Sequence, residues 1–225
     1  MLDRLDHREI AFHPRAFREI YKFIAGREPD RLDIAPEQRV RLSGIVTGLA
    51  GATATNRPVG GASVEVFRVS LDSGERLGGA LHKTTTAADG AWGPAEVDPA
   101  SALEIVLRVE GSPVTHYYRS PFPRSSDIVH LRPGRALTQT DTDSGAVILM
   151  TRPRGYFGLP RDVVLLDGKE PKEVAAGVPG DSSATLRLPA SEAGRAVVAM
   201  FNQERIVARA WPVSENRITV AEFTF

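Results

Sequence analysis

Residues 57–69 read Arg57-Pro-Val-Gly-Gly-Ala-Ser-Val-Glu-Val-Phe-Arg-Val69, and this stretch decides the fold class. Pro58 followed by Gly60 and Gly61 is turn chemistry, a fixed φ beside residues free to take a positive one. From Ala62 the chain alternates, Val64 and Val66 on one face and Ser63 and Glu65 on the other, which is the period of a half-buried strand. Residues 40–47 alternate in the same way through Val40, Leu42 and Ile45, and Gly44 is placed where a bulge fits. Downstream, Ala88-Asp-Gly-Ala-Trp92 predicts a hairpin, since Asp-Gly accepts the positive φ of a tight reversal. Working outward, strands are expected at 79–85, 103–110, 117–122 and 128–131. After a polar stretch over 132–144 come others at 145–151, 162–166, 183–188, 195–201, 205–211 and 218–225.

Ahead of the strands lies one helical pattern. Phe17, Ile20, Tyr21 and Ile24 recur at i, i+3, i+4 and i+7, with Arg15, Arg18, Glu19 and Lys22 opposite. Pro14 suits the first turn and Gly26 the position just past the end. A helix this short is marginal by itself, so its apolar stripe calls for a partner surface. Residues 27–39, polar with Pro29 and Pro36 and without periodicity, read as a linker.

The composition is that of a globular chain: 42% hydrophobic, 25% charged, 28 basic residues against 28 acidic. A balanced charge gives no long-range pull on a phosphate backbone, so nucleic acid is not expected as a partner. With no cysteine, disulfide scaffolds and thiolate metal sites are excluded. No apolar run approaches the ~20 residues of a transmembrane helix, so no transmembrane segment is expected. The start, Met1-Leu-Asp-Arg-Leu-Asp6, lacks the basic-then-apolar form of a signal peptide.

Three motifs in order, Val40-Arg-Leu-Ser-Gly-Ile-Val-Thr-Gly48, Arg57-Pro-Val-Gly-Gly-Ala-Ser-Val-Glu-Val-Phe67 and Thr84-Thr-Thr-Ala-Ala-Asp-Gly-Ala-Trp-Gly-Pro94, resemble a carboxypeptidase-regulatory-like module. That family has a transthyretin-like β-sandwich and accompanies a catalytic domain without an active site of its own. The residues themselves agree: alternation makes Val64 and Val66 core, and Trp92 reads as a packing anchor rather than a ligand platform. Leu5-Asp-His-Arg-Glu9 with Phe23-Ile-Ala-Gly-Arg-Glu-Pro29 resembles a second family, the end of bacterial secreted lipases and esterases of the α/β-hydrolase fold. Those enzymes split carboxylic esters with a Ser-Asp-His triad in that chain order. The resemblance makes His7 the triad histidine and implies secretion, to the periplasm or beyond, for the parent protein. However, the Gly-x-Ser-x-Gly elbow that should carry the nucleophile occurs nowhere in the sequence. An imidazole without an activated hydroxyl and an oxyanion hole hydrolyses esters feebly. This chain by itself is therefore not expected to be an esterase.

Other constellations are weaker. His116, Tyr117, Tyr118 and Phe122 form an aromatic stretch, and Tyr117 and Tyr118 are the candidate substrate-binding residues, able to stack on a sugar, polymer or lipid if exposed. The competing reading, and the favoured one, has alternate residues of a strand filling a core while His116 faces water. His116, His130 and Asp127 lack metal-site spacing, so no metal or other cofactor is called for. Asp141-Thr-Asp-Ser-Gly145 starts like a calcium loop but has no terminal Glu, and reads as polar linker.

The expected architecture is thus mainly β. A loop, helix and linker (1–39) resembling a hydrolase terminus precede two antiparallel β-sandwich domains, 40–134 and 145–225. The expected function is a non-catalytic C-terminal accessory region of a lipase- or esterase-like hydrolase. Its partner would be a hydrolase catalytic domain that this chain lacks, or an ester, lipid or polymer substrate. The alternative is a stand-alone binding or adhesion module for a polymer, carbohydrate or protein. A third reading has His7 working in trans with a separate polypeptide.

Overall fold

The computed structural model describes residues 5, 9–11, 13–153, 155–157, 161–174 and 181–224. It is mainly β with one N-terminal amphipathic helix, as the patterning predicts. The helix, Pro14–Ala25 (α1), begins and ends where its residues dictate. Pro14 occupies the first turn, His13 Nδ1 accepts from the Arg15 backbone at 3.1 Å, and Gly26 closes the helix at φ 67°.

Among the described residues fourteen strands follow. Those of the first half are Val40–Ile45 (β1), Thr47–Ala50 (β2), Thr53–Pro58 (β3), Ser63–Val69 (β4), His82–Thr85 (β5), Ala91–Val97 (β6), Ala102–Arg108 (β7) and Val114–Arg119 (β8). A four-residue helix, Gln139–Thr142 (α2), interrupts the expected polar stretch. The second half supplies Ala146–Thr151 (β9), Val164–Leu166 (β10), Ser183–Leu188 (β11), Ala196–Phe201 (β12), Glu204–Arg209 (β13) and Arg217–Glu222 (β14).

These strands build three layers. A central seven-stranded sheet runs β11-β9-β14-β8-β7-β4-β5, with the pair β1-β6 and the trio β10-β12-β13 as separate sheets. Successive residues of a strand point to opposite faces, so the two cores flank the central sheet. Tyr117 and Val220 join Val40, Leu42, Trp92, Val64, Val66 and Leu103 in one core, roofed by β1-β6. Their neighbours Tyr118 and Ala221 join Ile148, Met150, Val197, Phe201 and Ile206 in the other, roofed by β10-β12-β13. All of β7 but Arg108 is buried, as a strand covered on both faces must be.

The β-rich layers are those of a β-sandwich, and the two halves of the chain also share a sheet. Strand β14 lies parallel to β8 on one side and parallel to β9 on the other, so one mixed sheet runs through both halves of the chain. The alternation in 218–225 identifies a strand but cannot say which neighbours it chooses. The Asp89-Gly90 turn is present, with Gly90 at φ 73° and Asp89 Oδ1 accepting from the Ala91 backbone at 3.0 Å. It is not a hairpin, however. Strand β5 pairs with β4 and β6 with β1, so the turn carries the chain from the central sheet up to a roof. Residues 128–131, expected as a strand, instead touch the roof through single bridges: Val129 donates to Ser43 O and Leu131 to Ile45 O, each at 3.0 Å.

Candidate functional site

His7, the residue on which the hydrolase resemblance turns, lies outside the described residues. Tyr117 and Tyr118 sit on strand β8 rather than on an exposed loop, and alternation sends them to different cores. Tyr117 is 7% exposed and its hydroxyl donates to Arg132 O at 2.5 Å. Tyr118 is 1% exposed, and burial pushes its hydroxyl pKa up. The reading in which alternate residues fill a core describes both rings. His116, expected to face water, is instead fully buried. Trp92, at 2% exposure, is the packing anchor expected from its place in the sequence: its indole N–H donates to Val129 O at 2.9 Å.

His116 is held in a polar cluster that sequence reading passed over. Its centre is Glu104 on β7, with 0% exposure. Glu104 Oε1 meets His116 Nδ1 at 2.6 Å, the Trp211 indole N–H at 3.1 Å and the Tyr118 hydroxyl at 3.3 Å, while Oε2 accepts from Arg76 Nε at 2.5 Å. Register explains the meeting, because Glu104 lies directly opposite Tyr118, and His116 is two residues along the same face. His116 also stacks on Trp211 with ring centres 4.3 Å apart. Burial drives the Glu104 carboxyl up, but hydrogen bonds from His116 and Arg76 outweigh it and hold the pKa below the ordinary value. For His116 burial dominates and lowers its pKa, against the pull of Glu104, so the ring is neutral and donates through Nδ1.

Such an arrangement can act as a clamp, with one carboxylate gripped by four side chains. The carboxylate is saturated with donors, and among the described residues His116 Nε2 has no hydrogen-bond partner. The cluster joins the halves of the chain, since Arg76 and Glu104 come from the first and Trp211 from the second. One signal could have found it: Glu104 is a lone acid inside the apolar run Ala102-Leu-Glu-Ile-Val-Leu107. Among the described residues no group of three or more His, Asp or Glu could hold a metal. Asp141, read as linker, is buried between Arg135 and Arg187 at 2.6 and 2.8 Å and closes a capping box with Thr138.

The second feature is α1 itself. Apart from Ala16 its residues are exposed or partly so, with Phe23 at 91% and Ile24 at 77%. The stripe that the sequence requires to be covered is open. The linker after it docks only at its far end, where Glu37 donates its backbone N–H to Pro123 O at 2.8 Å and accepts from the Ser125 backbone at 3.0 Å. Among the described residues no helix is long and apolar enough to cross a membrane.

Residues 38–136, a little under half of the chain, match the family model of the lipase C-terminal domain. The match starts at the end of the linker and takes in β1 to β8. It supports a lipase C-terminal region, the accessory part of such an enzyme. No curated protein matches the chain. Among solved structures, the shaft pilin SpaA from Lactobacillus rhamnosus GG is similar at 10% identity with a TM-score of 0.29, covering 82% of this chain and 96% of the pilin. A variant of the same pilin gives 7% identity and a TM-score of 0.29, covering 81% and 96%. Likeness of that degree assigns no function.

Proposed function

We propose that the chain is an accessory region, inactive by itself, that docks on the α/β-hydrolase domain of a secreted lipase or esterase. The observation that carries this reading is the lipase C-terminal domain match over 38–136. Two others support it. Helix α1, one linker ahead of the matched region, presents an open apolar stripe, the surface a hydrolase sheet would cover. Among the described residues, the histidine paired with a carboxylate is locked in a saturated clamp. His7 keeps the part that its resemblance implies: it would take the proton from a serine of the docked domain and return it to the leaving alcohol. The stand-alone binding module gains little support, because neither Tyr117 nor Tyr118 offers an exposed stacking face.

Two measurements test the proposal. The purified chain should neither turn over p-nitrophenyl butyrate nor take up a fluorophosphonate probe. Stoichiometric labelling of a serine would overturn its inactivity by itself. Mixed with a lipase α/β-hydrolase domain that lacks its own C-terminal region, the chain should co-elute in gel filtration. A Phe23→Asp, Ile24→Asp double variant should elute apart while melting like the parent, since exposed substitutions cost within about 0.5 kcal/mol. Equal co-elution of parent and variant would sink the docking role of α1.

A further inference from the structure

Buried polar groups in folded proteins nearly always find partners, and the exceptions ask for an explanation. Among the described residues the buried side-chain atoms without one are His82 Nε2, His116 Nε2, Arg119 Nε, Arg132 Nε and Thr224 Oγ1. The last three belong to residues that line a single recess of about 410 Å³, whose walls also include Tyr117, His130 and Glu222. It lies beside the edge of the β1 roof and owes nothing to α1 or to the lipase reading.

The unused groups agree in kind. Arg119 is 8% exposed, pairs with Glu222 through Nη1 and lies against the Phe122 ring at 5.0 Å, which leaves its Nε–H to spare. Arg132 donates through Nη2 to Thr55 O at 3.4 Å and, among the described residues, has no carboxylate partner. Thr224 adds a hydroxyl. Two guanidinium N–H groups and a hydroxyl want an acceptor. The charge says which, because Glu222 offsets Arg119 while Arg132 is left over, a surplus of one positive charge. A single surplus charge favours a singly charged acceptor over a doubly charged phosphate, and a carboxylate is such an anion, of a shape that a guanidinium edge can grip. We propose that this recess binds an organic carboxylate, held by Arg119, Arg132 and Thr224.

Calorimetric titration of the full chain with sodium butyrate, with sodium phosphate and sodium chloride as parallel arms, tests the assignment. Butyrate should bind saturably, and about tenfold or more tightly than either inorganic anion. Arg132→Gln should weaken butyrate about tenfold, the order expected for one charge-assisted contact, and leave the melting curve without ligand unchanged. Arg119 is tied into a buried ion pair, so Thr224→Val, which keeps the shape and removes the hydroxyl, is the second variant and should also weaken binding. Absence of saturable butyrate binding, phosphate binding as tight as butyrate, or parent-like affinity in both variants would each overturn the proposal.

Discussion

At the scale of single residues, two positions show how little freedom the layers leave. Gly44 sits where a bulge shifts the register of β1 against β6, and a Cβ built there would lie 2.0 Å from Val129 O, the same oxygen that receives the Trp92 indole. Backbone cannot yield as a side-chain tip can, so Gly44→Ala should destabilise by about 2 kcal/mol or more, read as a lower urea midpoint at unchanged slope. The second position is the Glu104–His116 pair. Both groups resist protonation when folded, and in the unfolded chain both return to ordinary values near 4.5 and 6.5. The unfolded state therefore binds more protons as the pH falls. Stability present above pH 6.5 declines first through His116, then below 4.5 through Glu104. Urea midpoints measured between pH 7.5 and 5 should fall with acid, and His116→Gln should flatten that slope. A slope that the substitution leaves intact would show that other groups carry it.

Single elements show what patterning can and cannot deliver. Helix α1 is legible to the residue, because Pro14, Gly26 and the i, i+3, i+4 stripe are local signals. Strand β4 is legible to within one residue, and Asp89-Gly90 is legible as a turn but not for the strands it joins. The short α2 is not, since it stands on one side chain reaching across the sequence. Asp141 accepts from Arg135, from the Thr138 backbone and hydroxyl, and from Arg187 on β11. Burial raises the Asp141 pKa, yet those donors outweigh it and hold it below the ordinary value. Asp141→Ala should cost about 3 kcal/mol, because it strands two half-exposed arginines and removes a cap together. Thr138→Ala removes the cap alone and should cost about 1 kcal/mol, and chemical denaturation of the two variants separates the effects. The candidate site was illegible for a similar reason. Glu104 stands out as a lone acid in an apolar run, but its partners, and the nearness of Arg119 to Arg132, exist only once β7, β8 and the 128–132 segment lie side by side.

For the whole molecule, β14 decides the behaviour. It is bonded to β8 of the first half and β9 of the second, and its alternate residues feed both cores. Two blocks of short strands were readable along the chain, but a parallel pairing between them has no local sequence signature. The shared sheet predicts one cooperative transition rather than two. The tryptophans supply the probes, Trp92 in one core and Trp211 packed against the other. Single-tryptophan variants made with Trp92→Phe and Trp211→Phe should each show a fluorescence midpoint in urea that coincides with loss of the far-ultraviolet signal. Displaced midpoints would mean that the halves unfold separately. For the same reason residues 38–136 alone should associate, because removal of β14 bares the long edge of β8.

The placement of that strand also sets a timetable for biosynthesis. Residues 114–119 leave the ribosome about a hundred positions ahead of the partner that must slip in alongside them, so the nascent polypeptide carries an open edge throughout elongation. A premature stop anywhere before residue 217 would release a product whose central sheet can never close, and proteolytic clearance is its expected fate.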